Sequence, residues 1–144
     1  AYEIVDCDWS SDVCSSDLWT LARPGLWSSG FRGRWSRALA WRALQWNTLT
    51  LRIMLKAQSD PEQVGAASFD YLMYAGHVMM AYHWALMAQS AEDQLHRGQG
   101  TQSTEFYRAK IQTAQFYFER MLPQADAHHR MALGSAGTLL QVEL

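Results

Sequence analysis

From Asp60 to Arg97 the chain reads "DPEQVGAASFDYLMYAGHVMMAYHWALMAQSAEDQLHR", and no proline interrupts it after Pro61. The start carries strong helix signals. Asp60 is placed to cap, Pro61 suits the first helical position, Glu62 complements the dipole, and Gln63 stands where the second half of a capping box would be. Set at 100° per residue, the apolar side chains cover nearly the whole circumference. Only Asp70 and His77, seven residues apart, make a narrow polar stripe, while Gly65 and Gly76 lie near His83 on another side, where a neighbouring helix can approach closely. A helix apolar all round is buried on several sides or spans a membrane. Residues 64–88 are long enough to span. Asp70, His77 and His83 inside the window, and the lack of flanking basic anchors, argue for burial in protein instead.

One buried helix needs others. "RALAWRALQWNTLTLRIMLKAQ" has helical spacing, with Leu44, Leu51 and Leu55 able to share a face, and it should run antiparallel to the 61–96 helix across a short "SD" connection. After the loop "HRGQGTQST", whose end offers Ser103 or Thr104 as a cap, comes the amphipathic "TEFYRAKIQTAQFYFERML". Phe106, Tyr107, Ile111, Ala114, Tyr117, Phe118, Met121 and Leu122 share one arc, with Lys110 the exception on it and Phe116 at its edge; Pro123 should stop or kink this helix. "ADAHHRMALG" reads as a short helix ending at Gly134. No strand pattern competes. The expected class is all-α: an antiparallel bundle of three to four helices behind a disordered N-terminal segment.

At 144 residues the chain has room for one domain with a core. Its formal net charge of -2 hides a sorted distribution. Residues 1–18 carry five acids and no base, residues 19–59 seven bases and no acid, and residues 60–144 nine acids and five bases. Such sorting suggests blocks of different origin.

The first block holds both cysteines, Cys7 and Cys14, and an acid run that resembles a calcium loop. Asp6, Asp8, Ser10, Asp12 and Asp17 fall on ligand positions of the twelve-residue EF-hand, but Ser11 replaces the turn glycine and Asp17 the bidentate Glu. Two thiols without neighbouring His make no zinc site, and an extracellular disulfide has nothing else to support it. No basic stretch precedes an apolar one, so no signal peptide is expected, and the cytoplasm is the expected compartment. The middle block, "WTLARPGLWSSGFRGRWSRALAWRALQW", holds five of the seven tryptophans among arginines and glycines. Base stacking with phosphate contacts would use that mixture, but no nucleic-acid module is recognisable, so nucleic acid is not an expected partner.

Candidate chemistry in the helices is thin. Glu92 and His96, one turn apart, resemble half a metal site, but a di-metal bundle needs several carboxylates and two Glu-x-x-His pairs. A solvated helix end is the better reading. His77, Met79, Met80 and His83 carry soft donors suited to copper, yet point in different directions around the helix. Asp70 and His77 read as a buried polar pair or an inter-helix contact. His128 and His129 fall in a polar region where a surface role is expected. No nucleophile elbow, P-loop or dinucleotide glycine pattern occurs.

The segments "DPEQVGAASFDYLMYAGHVMMAYHWALMA" and "EFYRAKIQTAQFYFERMLPQADAHHRMALGSAGTLL" resemble the C-terminal region of the large acyl-CoA dehydrogenases, the subgroup of 3-methylmercaptopropionyl-CoA dehydrogenase type. The resemblance covers about residues 47–144, and "GAASFDYL", "FYRAKIQTAQFYFERMLP" and "LGSAGTLL" carry it. It implies a parent flavoenzyme that uses FAD to oxidise the Cα–Cβ bond of an acyl-CoA thioester, a Glu taking the α-proton and the flavin the β-hydride. The family's Tyr-Glu-Gly-Thr-like motif is absent, and Glu62, Glu92, Glu105 and Glu119 do not match it. No catalytic, cofactor-binding or metal-binding residue is therefore carried over, and no FAD is expected on this piece. The partners implied are the missing dehydrogenase core of the same chain, a homo-oligomer in the parent, and the parent's acyl-CoA. Residues 1–18 resemble none of this family and look like a translated sequencing adapter. The expected organisation is a non-native 1–18, an unstructured or mistranslated join over 19–37, and a helical domain over 38–144. The alternative is a free-standing helical interaction module without enzymatic activity, which would show a fully polar exterior rather than an apolar face awaiting a cover.

Overall fold

A computed structural model describes residues 31–98 and 100–137. The calcium-like acids, Cys7 and Cys14, residues 1–30 of the segment expected to be unstructured, and the last residues of "LGSAGTLL" lie outside the described residues, whereas residues 31–37 of that segment are helical. Four α-helices follow in order: α1 (Phe31–Ala57), α2 (Glu62–Arg97), α3 (Thr104–Phe116) and α4 (Ala125–Ala132). A π-helical turn (Tyr117–Met121) and a 3₁₀ turn (Leu122–Gln124) link α3 to α4. Among the described residues there is no strand, and the bundle is all-α. Helix α1 starts at Phe31, within the stretch read from sequence as a join.

The chain divides into two compact units, Ala1–Ala43 and Leu44–Leu144. In the first, the N-terminal half of α1 buries Trp35, Leu39, Ala40 and Ala43. The second holds the rest of α1 and everything after it.

Helix α2 is the element on which both α3 and α4 pack. Its ends are set by local chemistry. The Asp60 carboxylate accepts from the Glu62 amide at 3.2 Å, and Gly98 closes the helix in the left-handed region (φ 63°), its N–H donating to Gln94 O at 3.0 Å. The buried side of α2 consists mostly of small residues, Ala67, Ala81, Ala88 and Ala91, with Tyr74 and Val78 between them. Small side chains let neighbouring helices come near, and the core is completed by Ala114, Phe118, Leu122, Ala125 and Ala132. The opposite side of α2 stays bare: Phe69, Leu72, Met73, Met80 and Met87 are all exposed.

The second half of α1 runs antiparallel to α2, as hydrogen bonds with rising numbers on one side and falling numbers on the other require. Trp46 Nε1 donates to Tyr71 Oη at 2.8 Å, Thr50 Oγ1 lies 2.9 Å from the same hydroxyl, and Tyr74 Oη donates to Gln45 Oε1 at 3.3 Å. Leu49 and Ile53 are buried on the inner side, while Leu44, Leu51 and Leu55 share the outer one and are exposed.

Three sequence expectations shift in detail. Gln63 does not complete a capping box; it is buried and its amide donates to Gly134 O at 2.8 Å, because α4 returns to the start of α2. The apolar arc drawn through α3 is too wide. Phe106 and Phe116 are exposed, and the π turn inserts an extra residue that rotates the following face, so that Ala114, Phe118 and Leu122 form the buried line. Lys110, the exception on that arc, has its ammonium 5.7 Å from the Trp84 ring centre and 5.3 Å from that of Phe106, a cationic lid on two aromatic faces. The regular helix ends at Phe116, ahead of Pro123, and the π and 3₁₀ turns carry the chain through the proline into α4.

Candidate functional site

The polar stripe of α2 and the histidines of α4 come together where these helices cross. Asp70 and His77 lie two turns apart on one side of α2, and His128 projects from α4 between them. The carboxylate of Asp70 accepts from His128 Nδ1 at 2.9 Å, with both side chains less than one-fifth exposed. The His77 and His128 rings stack with centroids 5.7 Å apart and planes inclined by 24°. Phe69 meets the His128 ring edge-on at 6.3 Å, and the neighbouring His129 ring lies 5.8 Å from Tyr74. From the π turn, Tyr117 Oη donates to the His77 carbonyl at 3.2 Å.

Local sequence places each member. Ala125 and Ala132 are the buried contacts of α4, and His128 and His129 sit between them at the helical spacing that turns them towards α2. The sequence reading put these two histidines on the surface, and the structure corrects this: both are half-buried. The signal lay in the alanines, which a polar segment hides.

The electrostatics follow from this packing. Burial lowers the pKa of His77 below its ordinary value of 6.5, and the positive charge of His128 across the stack lowers it further. Burial alone raises that of the Tyr117 phenol. The Asp70 carboxylate fixes the orientation of the His128 ring by accepting from Nδ1. The arrangement is thus a His–Asp clamp beside a partly desolvated imidazole, which holds α4 to α2 and orients the His128 ring.

The other sequence candidates are not brought into it. Glu92 is half-buried and His96 exposed one turn later; Met79 is half-buried, while Met80 and His83 are exposed, His83 packing edge-on to Tyr82 at 5.4 Å. Glu62, Glu105 and Glu119 are exposed. Among the described residues, no three His, Cys, Asp or Glu side chains are grouped so as to hold a metal ion, and no helix is long and apolar enough to cross a membrane.

Residues 27–143 match the family model described as acetyl-CoA dehydrogenase C-terminal like. A 3-methylmercaptopropionyl-CoA dehydrogenase from Ruegeria pomeroyi is 29% identical over 92 residues, which is 64% of this chain. The matched segment spans only 15% of that relative's length. No solved structure matches.

Proposed function

Because the chain belongs to the acetyl-CoA dehydrogenase C-terminal-like family, we propose that it is the accessory helical domain of an FAD-dependent acyl-CoA dehydrogenase, a piece of a longer polypeptide. Its work is to support the dehydrogenase core and the contacts between subunits. The parent's reaction, oxidation of the Cα–Cβ bond of an acyl-CoA, belongs to polypeptide outside these residues. Every buried side-chain nitrogen or oxygen among the described residues has a hydrogen-bond partner within the chain. None is left waiting for the polar edges of a flavin, which supports assigning no described residue a catalytic, flavin-binding or metal-binding role.

The observation that carries this reading is the bare apolar exterior. Leu44, Leu51 and Leu55 on α1, and Phe69, Leu72, Met73, Met80 and Met87 on α2, are between 36% and 69% exposed. A self-sufficient monomer rarely shows apolar faces of that extent, whereas a domain that packs on a larger body requires them. A free-standing interaction module with a polar exterior does not fit the same surface. We place the domain in the cytoplasm on its family membership, and treat residues 1–18, which precede the family match, as non-native. Resequencing the source DNA across codons 1–50 tests that assignment.

The functional test is purification of the chain in the presence of FAD, followed by absorbance spectroscopy and an acyl-CoA oxidation assay. The expected product is colourless and inactive. Stoichiometric flavin with dehydrogenase turnover would overturn the reading that the active site lies elsewhere.

A further inference from the structure

The crossing of α2 and α4 brings two imidazoles to one bonded carboxylate. Asp70 accepts from His128 Nδ1 at 2.9 Å, so a proton taken up by the His128 ring has a counter-charge beside it. The half-buried His77 ring has no such partner among the described residues. It lies on the His128 ring instead, with centroids 5.7 Å apart and planes inclined by 24°. One positive charge on the pair is therefore matched and a second is not. Two like charges at this separation repel more strongly in a partly dry site than in water.

We propose that the His77–His128 stack is a proton-operated latch, which holds α4 on α2 while at most one ring is charged and releases α4 when both are.

The rest of the crossing lets α4 move by itself. The buried side chains of α4 are Ala125 and Ala132, and alanines remove little apolar area from water. The π and 3₁₀ turns join it to α3, so it can swing off α2 without breaking a helix. Its other ties to the bundle do not supply a carboxylate for His77. The His129 ring lies 5.8 Å from Tyr74, and Lys56 and Gln63 donate to the carbonyls of Leu133 and Gly134. From the π turn, Tyr117 faces His77 with a phenol that burial keeps neutral in the mildly acid range. Asp126 and Arg130 on α4, and Glu119 and Arg120 on the π turn, are exposed.

Linkage fixes the direction. In the docked state burial, and then the charge of His128, hold the pKa of His77 below 6.5, and the ring returns towards 6.5 once α4 leaves. The released state thus binds the extra proton. Docking is full above pH 6.5 and is lost as pH falls through the lowered docked value. The latch requires nothing from a dehydrogenase core.

Hydrogen exchange of the full chain between about pH 7.5 and 5, read on peptides from α2, α3 and α4 and taken relative to the intrinsic rate at each pH, tests this. The expected result is that protection over Ala125–Ala132 falls below pH 6.5 by up to about tenfold per pH unit, the limit for one proton, while Thr104–Phe116 stays protected. His77→Gln should abolish that slope. His77→Phe, which keeps a flat ring on His128 but takes no proton, should abolish it too and serves if the Gln variant loosens the packing. His83→Gln, at an exposed histidine of the same helix, should leave the slope intact. Protection of α4 that does not change with pH, a parallel loss in α3 and α4, or a slope that survives the His77 variants overturns the proposal. Flavin content and turnover decide the dehydrogenase reading separately.

Discussion

His128 on α4 donates through Nδ1 to Asp70 on α2 across 2.9 Å, joining residues 58 positions apart in the sequence. A charge-assisted hydrogen bond with little solvent around it exceeds a surface ion pair, because neither partner regains full hydration when the other is removed. A double-mutant cycle of Asp70→Asn and His128→Gln in urea unfolding should give a coupling of about 1–2 kcal/mol. Additive effects would mean that α4 is held by its alanines alone.

The stack of His77 on His128 gives stability a pH dependence of defined sign. The folded pKa of His77 lies below its unfolded value of 6.5, so in the window just beneath 6.5 the unfolded chain binds more protons. The stability contributed by a neutral His77 is therefore full above pH 6.5 and is lost as pH falls through the lowered folded value. His128 on α4 is the titratable group stacked on His77, and the phenol of Tyr117, which bonds the His77 carbonyl, is neutral in this range. Melting temperature should fall between about pH 7.5 and 5.5 in the wild type and fall less in His77→Gln. Equal slopes in the two proteins would remove His77 from the account.

Tyr71 is the hydroxyl hub of the α1–α2 contact. It accepts from the Trp46 indole and pairs with Thr50, which also donates to the Trp46 carbonyl at 3.0 Å. Tyr71→Phe leaves the ring but strands the indole N–H, while Thr50 keeps its backbone partner. The expected loss is about 1–2 kcal/mol in urea unfolding, and Thr50→Val should cost less.

Which features could be read in the sequence follows from how local their causes are. Pro61 and Gly98 bound α2 by backbone chemistry that needs no neighbour, and Ser103 caps α3 by accepting from the Phe106 amide at 3.3 Å, as its position predicts. The Asp70–His77 stripe was legible as one polar line on an apolar helix. Its partner was not, because His128 is half-buried only once α4 has packed on α2. The rotation of α3's buried face was hidden for another reason: a π turn has no composition signal, and a wheel drawn at 100° runs straight through it. The side of α2 bearing Gly65, Gly76 and His83 was read as a site of close helix approach, but among the described residues it stays exposed, because α1, α3 and α4 pack elsewhere on α2.

Gln63 offers the sharpest test of how the bundle is closed. The last carbonyls of a helix lack partners within it, and around the end of α4 two are met from elsewhere: Gln63 donates to Gly134 O at 2.8 Å and Lys56 Nζ to Leu133 O at 2.7 Å. Gln63 is 3% exposed, so its amide cannot turn to water instead. Gln63→Leu should cost about 1–2 kcal/mol and speed amide exchange over Leu133–Gly137. Gln63→Glu should cost more at neutral pH, since a carboxylate would face a carbonyl oxygen at the negative end of α4. Its folded pKa would then be raised, and acidification would restore the lost stability as the protonated acid regains a donor. The pH dependence of the Glu variant, measured against the flat response expected of the Leu variant at this site, distinguishes a donor to Gly134 from a side chain that only fills space.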